Sequence, residues 1–216
     1  MSPQRAVVIL LVLAGVCAPG LGGWAFAAPG DAEAGRVLFA AKQCGRCHRP
    51  SGEPGPGPAL DLLRRPQGEM ELAGRLWNHV PAMAASLAQD GFEWPRIGAG
   101  EMADLMAYLL GDAARDPAPD LFKGQVTLLR KGCLKCHSLR REGGPVKPDL
   151  SERRADYESA AAWAATMWTH TPRMAAMARQ QGLSYPRFVG DEMANLIGLL
   201  RSASRTAPQG SGPASR

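Results

Sequence analysis

Apolar positions along this chain recur at helical rather than alternating spacing. Asp31 is placed to cap a helix whose buried stripe would be Val37, Leu38 and Ala41. Met70, Leu72, Ala73, Leu76 and Trp77 predict a helix over Gly68 to Trp77. Ala160, Trp163, Ala164 and Met167 predict another over Asp156 to Trp168. Closing helices follow, with Met102 and Leu105 in one stripe and Met193 and Leu196 in another, which makes those two methionines core residues. No segment alternates over strand length, so the predicted fold class is all-α.

The pattern is also said twice. Asp31 to Phe39 and Pro119 to Leu129 each lead into a Cys-x-x-Cys-His pentapeptide. A Gly/Pro loop follows each, Ser51 to Pro58 and Gly143 to Pro148, with a composition unsuited to helix or central strand. Each copy then carries Trp-x-His-x-Pro-x-Met, first as Trp77 to Met83 and again as Trp168 to Met174. Trp94-Pro95-Arg96 and Tyr185-Pro186-Arg187 come next, and then the closing helix. A duplication of this kind sets the domain plan: residues 28–111, a linker at 112–118 and residues 119–203, with 204–216 as a disordered Ser/Gly/Pro-rich tail.

Ahead of the first copy, Arg5 precedes the apolar run Ala6 to Ala18, broken by Pro19-Gly20, with Ala25-Phe26-Ala27 as a small-x-small site. Residues 1–27 therefore read as a signal peptide cleaved before Ala28, which predicts a periplasmic protein. A retained segment would instead anchor the chain to the membrane. A lipid anchor on Cys17 fits poorly, because bulky Val16 precedes it.

The pentapeptides Cys44-Gly45-Arg46-Cys47-His48 and Cys133-Leu134-Lys135-Cys136-His137 carry the chemistry. This is the attachment signature for c-type haem. Two thiols three positions apart reach the two vinyl groups on one porphyrin edge, and the next residue, His, is held beneath the iron. A redox Cys-x-x-Cys or half a zinc site are the alternatives, but neither segment has a second Cys or His pair at finger spacing. Of five cysteines, four belong to these motifs and Cys17 lies in the leader. Two haem c groups are thus expected, on Cys44 and Cys47 and on Cys133 and Cys136, with His48 and His137 as proximal iron ligands. A proximal His needs its other N–H oriented, and the carbonyls of Pro58 and Pro148 are placed to do it; a plain surface turn is the other reading of those loops.

Nearly all of residues 31–203 resembles the class I, mitochondrial-like cytochrome c family. The resemblance rests on Cys-x-x-Cys-His near the start, the Gly57-Pro58-Ala59-Leu60 turn, a distal Met and a closing helix ending Tyr108-Leu109. It implies two tandem domains, each wrapped around one covalent haem. The Trp-x-His-x-Pro-x-Met phrase departs from the simplest members and looks like a bacterial subgroup. The sixth iron ligand has two candidates per copy. Met83 and Met174 would raise the reduction potential and are the family's usual arrangement, whereas His79 and His170 would give bis-His iron at lower potential. His and Met four apart would share a helical face, yet Pro81 and Pro172 argue against regular helix there. Trp77 and Trp168 are expected to pack against the haems.

A six-coordinate haem has no open position for substrate, so the expected function is electron relay rather than catalysis, between periplasmic or membrane redox proteins. A dihaem peroxidase-like enzyme with one open haem is the enzymatic alternative, and a subunit of a larger dehydrogenase or oxidase complex is the third. Net charge is +5 with no basic stripe among aromatics, which gives no reason to invoke nucleic acid. Residues 28–111 carry 8 Lys/Arg against 10 Asp/Glu, whereas 119–203 carry 13 against 8. That asymmetry suggests an acidic partner meeting Lys131, Lys135, Arg140 and Arg141.

Overall fold

The computed structural model describes residues 29–63, 65–146 and 148–206. The expected signal peptide and most of the expected tail lie outside the described residues. The first half holds α1 (Ala32–Ala41), α2 (Leu60–Leu63), α3 (Glu69–Gln89) and α4 (Ala99–Tyr108). The second holds α5 (Leu121–Arg130), a two-residue hairpin of β1 (Ser138–Leu139) and β2 (Glu142–Gly143), α6 (Ala160–Gln180) and α7 (Glu192–Thr206). The protein is mostly helical, as the periodicity predicts. The hairpin is too short to leave an alternating pattern, and α7 takes in residues 204–206, which composition alone assigned to the tail.

Each half is closed by crossing its first and last helices. Asp31 caps α1 by accepting from the backbone N–H groups of Glu33 at 2.8 Å and Ala34 at 3.1 Å. Asp120 caps α5 through Lys123 N–H at 3.0 Å. α1 lies on α4 and α5 on α7. The crossings are close enough that a Cβ on Gly35 would collide with the Asp104 carbonyl, and one on Gly124 with that of Asn195. The same pairing is tied at its end: the backbone N–H of Asp31 donates to Asp104 and that of Asp120 to Asn195, both at 2.8 Å. Phe39 meets Tyr108 across the first crossing, ring centroids 5.5 Å apart. Val37 is not in this seam. It is 53% exposed, because Gly35 and Leu38 mark the face that meets α4.

Two expectations about α3 and α6 are corrected. Neither helix ends at its tryptophan; both continue unbroken past an internal proline, Pro81 and Pro172. Proline lacks an N–H, so the carbonyl four residues earlier loses its helical partner. Those carbonyls belong to Trp77 and Trp168, and both find donors in the opposite half. Tyr185 Oη donates to Trp77 O at 3.2 Å, and Trp94 Nε1 donates to Trp168 O at 3.0 Å. Left without a partner, a buried carbonyl would cost about 1–3 kcal/mol. The second correction concerns the start of α6, at Ala160 rather than Asp156, where Ser159 accepts from Ala162 N–H at 3.0 Å.

α6 packs on both α3 and α4, so the halves share an interface. Its centre is aromatic. Trp77 Nε1 donates to Pro186 O and Trp168 Nε1 to Pro95 O, each at 2.7 Å. Trp94 stacks on Trp168 with centroids 4.3 Å apart, and Tyr185 on Trp77 at 5.4 Å. Asn78 adds a two-bond pairing with the backbone of Phe188, at 2.7 Å and 2.9 Å. Met102 and Met193 are core residues as predicted, 2% and 1% exposed, and Met193 Sδ accepts from Trp163 Nε1.

The segment expected to be a free linker is ordered onto α3. Asp112 N–H donates to Gln67 O at 2.9 Å, and Asp116 accepts from the Met70 N–H at 2.9 Å. The N-cap of α3 is Gly68, which offers no side chain for capping, so Asp116 supplies the missing acceptor from the linker.

Candidate functional site

Each pentapeptide forms one tight turn at the end of the entering helix, Cys44–Arg46 and Cys133–Lys135. The turn is entered through a left-handed residue, Gln43 at φ 59° and Gly132 at φ 71°. His48 N–H then bonds Cys44 O at 3.0 Å, and His137 N–H bonds Cys133 O at 2.9 Å, so each histidine is carried on the turn that holds its cysteines. All four thiols are unpaired and half-buried. Burial pushes the Cys44 thiol up and Cys133 up to about 11. A raised thiol is a weak nucleophile, so Cys44 and Cys133 are poorly suited to disulfide exchange. Among the described residues no group of three or more His, Cys, Asp or Glu converges on one point.

The proximal straps lie where the sequence puts them. His48 Nδ1 is 3.0 Å from Pro58 O, and His137 Nδ1 is 3.4 Å from Pro148 O. A ring that donates from Nδ1 keeps Nε2 for a metal. Close approach of the first strap depends on Gly57, where a Cβ would come within 2.9 Å of the His48 ring. The second strap is pinned by Asp149, 2% exposed. Its carboxylate accepts from Ser138 Oγ, from Ser151 N–H and Oγ, and from the N–H groups of Arg140 and Arg141 at 3.1 Å and 2.6 Å. Burial alone would raise this carboxyl, but the hydrogen bonds, led by Ser151 and Arg141, hold it well below the usual carboxylate range. Sequence reasoning missed Asp149; a carboxylate in the position Ala59 occupies in the first copy was the available signal.

An apolar cleft of about 140 Å³ opens over His48, lined also by Pro58, Leu60, Leu72, Leu76 and Leu109. His79 and Met83, one turn apart on α3, both line it. The unbroken helix therefore brings the two candidate distal ligands to one face, where the proline had argued otherwise. His79 Nδ1 is 3.0 Å from Arg75 O, and His170 Nδ1 is 3.1 Å from Thr166 O, in each case the carbonyl one turn back. Met174 is half-buried against the core. Trp77 does not line the cleft. Both Trp77 and Trp168 are held at the interface between halves by their indole bonds.

Lys131 is tied within the fold. Its Nζ bonds Arg187 O at 2.6 Å and Glu192 at 2.7 Å, tying the end of α5 to the start of α7. Lys42 does the same in the first half, through Arg96 O and Glu101, both at 2.8 Å. Lys135, Arg140 and Arg141 remain exposed.

Residues 32–111 match the family model Cytochrome c. No curated protein and no solved structure matches the chain. The match, the motif turn and the strapped histidine make this segment similar to cytochrome c, a family that binds haem c covalently and uses it for electron transfer. The residues present fit that group: two unpaired thiols beside an oriented histidine, an apolar cleft, and a sulfur or nitrogen side chain lining it. Cys44 and Cys47 would hold it by thioethers, each S–H adding across a vinyl double bond.

Proposed function

We propose that the protein is a periplasmic dihaem c-type cytochrome, with tandem domains at residues 28–111 and 119–203, relaying single electrons between redox partners. The observation that carries this reading is the duplication of a complete ligand set. Cys44, Cys47 and His48 with Pro58, and Cys133, Cys136 and His137 with Pro148, each precede a helix bearing His and Met one turn apart. His48 with Met83, and His137 with Met174, are the proposed axial pairs. Both irons are then six-coordinate, and the protein carries electrons rather than binding a substrate at the metal. Exposed Lys135, Arg140 and Arg141 suit an acidic partner at the second domain.

Bis-His ligation is the competing arrangement, favoured by one observation: His79 and His170 each bond a backbone carbonyl through Nδ1 and so reserve Nε2. Near-infrared magnetic circular dichroism of the oxidised holoprotein, with haem quantified per chain, decides between them. Two haems with two Met–Fe(III) charge-transfer bands are expected. A band absent from both, with low-spin iron retained, moves the distal ligands to His79 and His170. One haem per chain, or a high-spin resting iron, overturns the relay and favours the enzymatic alternative.

A further inference from the structure

The Trp-x-His-x-Pro-x-Met phrase places the candidate distal ligands on either side of the proline that breaks the helical bonding. In α3, Pro81 lies between His79 and Met83, and the carbonyl it frees is that of Trp77. In α6, Pro172 lies between His170 and Met174, and the freed carbonyl is that of Trp168. The geometry points to Tyr185 and Trp94 as crossed positioning residues: Tyr185, in the second half, sets the distal helix of the first haem cleft, and Trp94, in the first half, sets that of the second. This rests on the reading that α3 and α6 carry the distal ligands.

Three observations support the crossing. Each freed carbonyl accepts from the other half, Trp77 O from Tyr185 Oη and Trp168 O from Trp94 Nε1. The same aromatic ring stacks on the tryptophan whose carbonyl it caps, so donor and ring act on one point of the helix. The residue after each donor, Pro186 or Pro95, accepts from that tryptophan's indole, which makes a closed two-bond clasp. A helix missing one internal bond is free to bend there unless another donor fixes it. Here the bend would fall between the two candidate ligands, so the clasp fixes the pitch at which either one faces the cleft. Burial pushes the Tyr185 hydroxyl well above its ordinary range, which keeps it a donor.

The test uses the dihaem holoprotein, with signals assigned to each haem by M83A and M174A, and reads the charge-transfer band and reduction potential of each. Y185F removes only the hydroxyl and keeps a ring for stacking. It should shift the band and potential of the haem on Cys44 and Cys47 and leave those of the other unchanged. W94F should do the reverse. Y185W and W94Y, which exchange the two halves' own donors, should restore the wild-type signals. Y185F acting on the second haem, on both alike or on neither overturns the inference while leaving the electron relay intact. A wild-type protein without two six-coordinate haems overturns the functional reading, and the inference with it.

Discussion

The two loops beneath the motif histidines do one task by different means. In the first half the loop is rich in Gly and Pro, closes on His48 through Pro58 O at 3.0 Å, and is tied at its start by the exposed Asp61, which accepts from Ser51 N–H and Oγ. In the second half the loop folds into the β1–β2 hairpin, whose two turn residues, Arg140 and Arg141, are both left-handed at φ 53° and 69°. Arginine is ill suited to that turn, which favours Asn-Gly. Asp149 compensates by accepting from both arginine N–H groups. The second half thus keeps the Cys-x-x-Cys-His motif and the strap carbonyl of the first and replaces the scaffold behind them.

The sharpest way to break this comparison is to remove the two carboxylates. D149A leaves the buried groups of Ser151 and two strained backbone N–H groups without an acceptor. Summed over those bonds, a loss of about 3–5 kcal/mol is expected. D61A removes an exposed tie and should cost about 1 kcal/mol or less. Denaturant unfolding of the two variants measures the difference. Equal losses would mean that the second loop does not depend on its buried carboxylate.

Acid should sharpen it further. Asp149 is held below its ordinary value of 3.8, so the unfolded chain takes up its proton at a higher pH than the folded chain does. Its stabilising contribution is therefore fully present above about pH 4 and drains away as pH falls toward the lower folded value. A plot of stability against pH should show this as an acid limb in the wild type. D149N is less stable at neutral pH, but the same limb should be shallower in it. Parallel limbs in the two proteins would assign acid sensitivity to other carboxylates.

What could be read from the sequence divides along the same line. The motif turns, the Pro58 and Pro148 straps, the Asp31 and Asp120 caps and the buried Met102 and Met193 depend on neighbours a few residues away, or on helical spacing, and all were legible. The continuation of α3 and α6 through proline was not. It depends on donors 108 and 74 positions distant, Tyr185 for Trp77 and Trp94 for Trp168. The tryptophans' place at the interface was hidden for the same reason: it exists only once both halves are folded. Asp116 turned a linker into a helix cap by the same kind of distant contact. The Lys131–Glu192 pair was hidden in the same way, its two members being 61 positions apart.

The smallest test concerns the residue that opens each motif turn. Both positions are left-handed, but the second half has Gly132 where the first has Gln43. A side chain in that conformation costs about 1–2 kcal/mol, since Cβ crowds the following carbonyl. Glycine removes the cost but gives back about half of it through the greater freedom of the unfolded chain. Q43G should therefore stabilise the first half by about 0.5–1 kcal/mol, with the exposed Gln43–Arg46 hydrogen bond at 3.0 Å a minor loss. G132A, where Cβ meets only the flexible Lys135 side chain at 3.4 Å, should destabilise the second by about 1 kcal/mol through conformation alone. Thermal unfolding of the two single variants and the double variant checks both signs. The shifts should add, because the two turns lie in separate halves with no shared partner. A Q43G protein less stable than wild type would show that the first turn uses its glutamine for more than conformation.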